Sequence, residues 1–196
     1  MRDVCATRDR GPAVADSSYD DPDGYQAGQH KQELDGAPSM ANEWREHPKL
    51  VGRFHPDFPD DVQVIVHEGG PRFSDRQPEL VWVRTTAYSA NVFTGLVLNQ
   101  PSQLTRVSKG SEIRFVVPDG GEHPLMVTEK YLAERSDWTI EPCDKCGLSE
   151  LFDAPSDLVR VIFPATPEDA AMEMFTTFCG FCGGVLVVQR EDASAE

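Results

Sequence analysis

The chain has 196 residues, of which 39% are apolar and 26% charged, a composition that is typical of a globular protein and excludes a fibrous or fully disordered one. Its 33 acidic residues outnumber its 18 basic residues, so the net charge is -15, which disfavours binding to nucleic acid or to an anionic membrane surface. The longest aliphatic run, residues 185–188, is too short to cross a bilayer, and the first residues lack the apolar stretch of a secretory signal, so we expect a cytoplasmic protein.

Residues 1–39 differ in composition from the rest of the chain. They are rich in Gly, Pro, Asp and Ser, and their only aromatic side chains are Tyr19 and Tyr25. Such a segment buries too little apolar surface to offset the entropy of ordering it, which predicts a disordered acidic tail. Apolar content begins near Met40, and we expect the protein to fold without the tail. A recognition tail that folds on a partner is the alternative.

Between residues 44 and 118 the pattern is typical of β-strands. Runs rich in β-branched and aromatic residues are bounded by Gly, Pro and Asn, which predicts strands at residues 62–67, 80–86, 92–98 and 113–117. The short connection at residues 88–91 predicts a hairpin. Gly95, inside a predicted strand, indicates a bulge or a close backbone approach.

Helical patterns follow Pro118 in the chain. Residues 128–135 predict a short helix with Thr128 as its N-cap, and residues 156–163 predict a second one. Thr166, followed by Pro167 and two acidic residues, predicts the start of a third helical turn.

Four of the five cysteines form two short units of the same kind, separated by 32 residues: Cys143-x-x-Cys146-Gly147 and Cys179-x-x-Cys182-Gly183. A two-residue spacer lets one tight turn aim two thiolates at the same point, and four thiolates about 2.3 Å from the metal are the tetrahedral ligand set of a structural zinc site. The glycine after each pair permits a positive φ, which turns amide hydrogens toward the sulfurs. We predict one structural Zn²⁺ ion, bound by Cys143, Cys146, Cys179 and Cys182.

Three other interpretations of the cysteines stay open. A redox dithiol uses a single Cys-x-x-Cys at a helix start, whereas here the motif occurs twice and the second copy precedes a predicted strand. Two disulfides would need an oxidising compartment. A catalytic zinc ion keeps an open coordination position beside three protein ligands. Cys5 lies outside the array and is expected to be an ordinary thiol.

The flanks of the two units resemble a zinc ribbon. Residues 138–141 predict a strand entering the first unit, residues 172–178 predict one entering the second, and residues 185–188 predict a returning strand. In the zinc-ribbon class, paired Cys-x-x-Cys-Gly knuckles clamp one structural zinc ion. The resemblance covers residues 138–189. It implies that the four cysteines are metal ligands, and it implies no other function.

Residues 79–138 resemble a second family, the bacterial YegJ-like domain of unknown function. The match rests on residues 82–84, 93–101, 109–115 and 136–138. The resemblance implies a small α+β domain with a curved antiparallel sheet, and it implies no activity, substrate or catalytic residue.

Together these patterns predict an α+β protein with a β-rich domain, a few short helices and a C-terminal zinc-ribbon-like hairpin pair. The expected organisation is a tail at residues 1–39, the β-rich domain at 40–137, the ribbon-like segment packed on it at 138–190, and a tail at 191–196.

The function predicted from the sequence is a nonenzymatic protein-interaction or regulatory module with an unidentified protein partner, and without nucleic acid or membrane as partners. The alternative is a hydrolase-like enzyme with a polar site between sheet and ribbon, drawing on residues such as His123, Glu129 or Asp137. The isolated histidines show no metal-ligand spacing, and we expect each to be satisfied by hydrogen bonds or solvent.

Overall fold

A computed structural model describes residues 43–167 and 172–191, and these belong to one compact unit. A short 3₁₀ segment, Glu43–Glu46, precedes a six-stranded sheet. The strands of this first sheet are β1 (Phe54–His55), β2 (Phe58–Val66), β3 (Glu79–Ser89), β4 (Val92–Val97), β5 (Glu112–Val116) and β6 (Leu125–Val127). The prediction for residues 1–39 lies outside the described residues, as does all of the C-terminal tail except Glu191.

The first sheet is an antiparallel meander that closes on itself. Every sequential pair from β1 to β6 is antiparallel, and β2 also pairs in parallel with β6 through Ile65 and Leu125. At the same junction the Ile65 amide donates to the Pro124 carbonyl at 2.8 Å. Because the chain reverses direction at each connection from β2 to β6, the first and last of these strands run the same way. The parallel pair therefore closes a strongly curved sheet.

The hairpin between β3 and β4 uses a turn that suits the twist of its strands. Ala90 and Asn91 have φ values of 49° and 63°, so both turn residues are left-handed, as the common two-residue hairpin turns require. Gly95 pairs with Thr85 next to a register shift. A Cβ atom at Gly95 would lie 2.5 Å from Val83 Cγ1, so the predicted close approach is confirmed.

The second half of the chain adds two helices and a second, three-stranded sheet. Helix α1 (Glu129–Glu134) begins at Thr128, whose Oγ1 accepts a hydrogen bond from the Tyr131 amide, so the predicted N-cap is confirmed. A 3₁₀ segment, Arg135–Asp137, leads into β7 (Trp138–Ile140). The remaining elements are α2 (Pro155–Ile162), β8 (Met174–Phe178) and β9 (Val185–Arg190). The strand order of the second sheet is β7-β9-β8, and both pairings are antiparallel.

Strand β2 links the two halves of the fold, because it contributes side chains to both buried clusters. Its side chains alternate between two buried clusters: Val64 and Val66 face the cluster formed by β2 to β5 with Trp44 and Leu50, while Ile65 faces the cluster of the second sheet and the helices. Both faces of the end of this strand are covered, which accounts for the uninterrupted apolar run at residues 64–66. The second sheet is therefore anchored on the first.

The coarse fold prediction is confirmed: the protein is strand-rich, with a curved antiparallel sheet and two short α-helices. Strand β6 was not predicted. The predicted third helical turn is not seen at Thr166 and Pro167, which are not helical, and its following residues 168 and 169 lie outside the described residues.

Candidate metal centre

The two cysteine units adopt the same backbone loop. In the first unit the Cys143 amide donates to the Leu148 carbonyl at 2.9 Å, and the Gly147 amide donates to the Cys143 carbonyl at 3.0 Å. In the second unit the equivalent bonds are Cys179 to Gly184 at 2.7 Å and Gly183 to Cys179 at 2.9 Å. The glycines after the two pairs have φ values of 73° and 68°, which confirms the predicted left-handed turn.

Backbone amides point at the sulfurs in the same pattern in both loops. Cys143 accepts from the amides of Lys145 and Cys146, and Cys179 accepts from the corresponding amides of Phe181 and Cys182. The second cysteine of each loop accepts from the amide two residues later, as in the 3.4 Å bond from Gly184 to the Cys182 sulfur. Such donors disperse the negative charge of thiolate ligands.

The loops bring all four sulfur atoms into one cluster. The Sγ atoms of Cys143, Cys146, Cys179 and Cys182 lie within 4.8 Å of one another. Across the loops, Cys143 and Cys182 are 3.5 Å apart and Cys146 and Cys179 are 3.7 Å apart. A tetrahedron with metal–sulfur distances of about 2.3 Å has edges of about 3.8 Å. The four cysteines can therefore hold a single metal ion between them.

The surroundings of the sulfurs are suited to a closed site. Cys143 and Cys179 are buried in the apolar cluster, Cys146 is partly buried and Cys182 is exposed. Burial raises the pKa of the Cys179 and Cys146 thiols. Burial also acts to raise the pKa of Cys143, but the amides of Cys146 and Lys145 outweigh it and the pKa is lowered. A divalent cation would compensate the desolvated charge of four thiolates.

Two glycines of the second loop are required by packing. A Cβ atom at Gly180 would lie 2.5 Å from the Phe152 ring, and one at Gly184 would lie 2.5 Å from the Cys143 sulfur. The second loop therefore approaches both the core and the first loop closely. This contact is possible because neither glycine carries a side chain.

The two loops have different positions in the second sheet. Residues 179–184 form the turn of the β8–β9 hairpin, while the first loop follows the end of β7 and then leads toward α2. The first loop is thus at a strand end rather than in a hairpin of the described residues. Because β7 and β8 flank β9, both loops meet at the same end of this sheet.

The distances between the sulfur atoms argue against two disulfides and against a catalytic zinc ion. Sulfur separations of 3.5 and 3.7 Å exceed the ~2.05 Å of a disulfide, and these four cysteines are free thiols. Four sulfurs in one cluster leave no coordination position for a substrate at a tetrahedral ion. The cluster accordingly fits a structural ion better than a catalytic one.

The three residues considered for an enzymatic site are not brought together. His123 lines a cavity of about 290 Å³ that also touches Cys146 and Phe181. Glu129 is exposed and pairs with Arg114 at 3.1 Å. Asp137 lies before β7, and its carbonyl accepts from the Glu191 amide. Among the described residues, these side chains form no common site.

Sequence reasoning missed a partly buried carboxylate, Asp153. Its Oδ2 accepts from the Gly70 amide at 2.8 Å, and a Cβ atom at Gly69 would lie 2.8 Å from its Oδ1. The signals in the sequence were the adjacent glycines and an acidic residue two positions before Pro155. His67, at the same place, uses both ring nitrogens, which confirms that this histidine is satisfied by hydrogen bonds.

The chain matches no protein-family model, no curated protein and no solved structure. The resemblance to the YegJ-like domain therefore stays a prediction. In the part of the chain that the structure describes, no helix combines the length and apolar character needed to cross a membrane.

Proposed function

We propose that Cys143, Cys146, Cys179 and Cys182 bind one structural zinc ion, and that the second sheet with its two cysteine loops is a zinc ribbon. The observation that carries this proposal is the convergence of four sulfurs from two loops with the same hydrogen bonds. Zinc suits a closed tetrahedral set of thiolates because it has no geometric preference of its own and no redox chemistry. Iron is the main competitor for the same ligands.

The zinc site would act by holding the C-terminal half of the fold together. A structural site of this kind contributes ~10 to 16 kcal/mol at neutral pH, which equals or exceeds the net stability of a typical domain. The ion would cross-link the loop that follows β7 to the turn of the β8–β9 hairpin, so its loss would remove the strongest tie between the two loops. Residues 138–189 are expected to depend on the metal for their folded state.

The function best supported is a nonenzymatic, cytoplasmic protein-interaction or regulatory module. Four cysteine ligands leave the ion no open position for catalysis. Phe178 and Val185 beside the second cysteine loop, Phe181 within that loop and Met174 at the opposite end of β8 expose 42 to 56% of their surface. Phe178 and Val185 are cross-strand partners, so their side chains lie on one face. We call these four residues the ribbon surface.

A protein partner fits the ribbon surface better than nucleic acid does. Exposed large apolar side chains that lie side by side, as Phe178 and Val185 do, are typical of contact surfaces for other proteins. The net charge of -15 repels polyanions over the whole molecule. The enzyme alternative would need a site elsewhere, between the sheet and the ribbon, and the three residues first considered for it are dispersed.

The metal half of the proposal is tested by elemental analysis of protein purified without added metal. Wild type should carry one zinc ion per chain, and Cys146→Ser and Cys182→Ser should lose it and become protease-sensitive within residues 138–189. Cys5→Ser is the matched control and should keep the metal. Unchanged metal content and protease resistance in the first two variants would contradict the proposal.

The interaction half is tested by comparing two exposed phenylalanines. Phe178 and Phe58 expose 55% and 52% of their surface, but only Phe178 belongs to the ribbon surface. Proteins captured from the native host by wild type should be lost with Phe178→Ser and retained with Phe58→Ser. Equal capture by both variants would contradict a partner on this surface.

A further inference from the structure

A cavity of about 430 Å³ lies between the end of β2 and the start of α2. It is separate from the cysteine cluster, and its lining combines aromatic and aliphatic side chains with four charged ones, Glu68, Arg106, Asp153 and Asp157. The lining includes His67, Phe73, Arg106, Met126, Phe152 and Asp153. A space of this size is within the range of small-molecule sites in proteins.

The apolar walls of the cavity are preformed by packing. The His67 ring stacks on the Phe152 ring with 4.1 Å between centroids. His67 is held in place because Nε2 bonds to the Met126 carbonyl at 2.9 Å and Nδ1 accepts from the Gly69 amide at 3.1 Å. Phe73, 43% exposed, lies at the same cavity. These rings offer flat apolar surface to a bound molecule.

Asp153 is the one acidic side chain lining the cavity that forms no ion pair with a described residue. Its carboxylate accepts one hydrogen bond, from the Gly70 amide, and it forms no ion pair with any described residue. Burial raises the pKa of Asp153 to about 6, with the nearby Asp157 carboxylate adding to the effect. Keeping this carboxylate ionised at neutral pH therefore costs folding free energy.

The other acidic groups of the cavity are already engaged. Glu68 accepts from the amides of Thr105 and Arg106 and pairs with Arg76 at 3.4 Å. Asp157 pairs with Lys130. A cation that enters the cavity would therefore find its free acceptor at Asp153.

We propose that this cavity binds a small organic cation, an amine or guanidinium group on a short apolar chain, with Asp153 as its counter-ion. The charged group would pair with the Asp153 carboxylate, and the apolar chain would contact Phe73, Phe152 and the stacked His67 ring. A partly buried carboxylate beside aromatic rings favours a weakly hydrated organic cation over an inorganic one. Arg106 also lines the cavity and forms no ion pair with a described residue, so it opposes the binding of a pure cation.

The proposal is tested by titrating the full chain with n-butylammonium at pH 7.5 and following binding by NMR, with n-butanol as the neutral probe of similar shape. Wild type should bind n-butylammonium about tenfold or more tighter than n-butanol. Asp153→Asn keeps an acceptor for the Gly70 amide and should abolish this preference. Asp75→Asn removes the same charge from an exposed loop position outside the cavity. It should change the preference for n-butylammonium over n-butanol less than twofold.

Arg106→Gln provides a second test that does not depend on Asp153. Because it removes a like charge from the cavity, it should tighten n-butylammonium binding a few-fold and leave n-butanol binding unchanged. Equal affinity of wild type for the two probes, an unchanged preference in Asp153→Asn, or weaker n-butylammonium binding in Arg106→Gln would each overturn the proposal. Metal content measured on the same samples keeps this result separate from the zinc site.

Discussion

Asp144 and Val185 join the first cysteine loop to the start of β9 through two hydrogen bonds. Asp144 Oδ1 accepts from the Val185 amide at 2.8 Å, and the Asp144 amide donates to the Val185 carbonyl at 3.2 Å. Val185 directly follows the second loop in the chain, so this contact sets the position of each loop relative to the other. The four sulfurs can converge only while this relative position is kept.

Replacing Asp144 should therefore weaken metal binding without removing a ligand. Asp144→Ala deletes the acceptor for the Val185 amide, worth ~1 kcal/mol, and should lower zinc affinity about fivefold. Asp144→Asn retains an oxygen acceptor and is the matched control, with affinity close to wild type. Zinc affinity is measured by competition with a chelator. Equal affinities for the two variants would show that the contact does not position the loops.

Gly184→Ala should disrupt the site by steric contact. The added Cβ would lie 2.5 Å from the Cys143 sulfur, and a metal-bound sulfur cannot move away. We expect a loss of zinc affinity of about tenfold or more. Gly110→Ala is the control: its φ of 87° makes it strained, but a Cβ there meets nothing within 4 Å. It should lower stability by ~1 kcal/mol and leave zinc binding unchanged.

Asp153 and His67 should have opposite effects on stability between pH 4 and pH 6. Burial raises the pKa of Asp153 from 3.8 to about 6, so its stabilising contribution is present below pH 3.8 and is lost as the pH rises through about 6. Burial lowers the pKa of His67 from 6.5 to about 4, so its contribution is present above pH 6.5 and is lost as the pH falls through about 4. The two contributions oppose each other in wild type.

Asp153→Asn separates these two contributions. The variant should match wild type near pH 4 and become more stable as the pH rises, by ~1 to 2 kcal/mol at pH 7 once partial exposure is allowed for. Urea unfolding at several pH values measures the difference in free energy of unfolding between the variant and wild type. Metal release affects both proteins equally and therefore cancels in this difference. A difference that does not vary with pH would contradict the raised pKa of this partly buried carboxylate.

Thr85→Val should stabilise the first sheet. Thr85 is 2% exposed on β3, and its hydroxyl has no hydrogen-bond partner among the described residues. Valine keeps the branched shape and removes a buried polar group, so we expect a gain of ~1 kcal/mol in the free energy of unfolding. Thr139→Val is the control, because the Thr139 hydroxyl donates to Glu191 at 2.9 Å and its loss should bring no gain. A loss of stability in Thr85→Val would contradict the expectation.

The features predicted well from the sequence are those with a local cause. The cysteine loops follow from a spacing of two residues and a glycine, both of which act within one turn of backbone. The N-cap at Thr128 and the strand pattern of β2 to β5 are local in the same sense. Convergence of the two loops was predicted because two copies of Cys-x-x-Cys-Gly in one chain are typical of a shared metal site.

The features that were missed depend on contacts between distant parts of the chain. Strand β6 has three residues and is defined by its pairing with β5 and with Ile65 of β2, which no local pattern records. The burial of Asp153 depends on Gly69 and Gly70, more than 80 positions earlier. Such contacts follow from the closed sheet, and a single sequence does not contain that geometry explicitly.

X-ray absorption at the zinc edge, on protein purified without added metal, tests the proposed metal centre most directly. We predict one zinc ion per chain with four sulfur neighbours at about 2.3 Å and no nitrogen or oxygen neighbour. Protein that contains no metal, or zinc whose neighbours include oxygen or nitrogen in place of sulfur, would contradict a site built from Cys143, Cys146, Cys179 and Cys182.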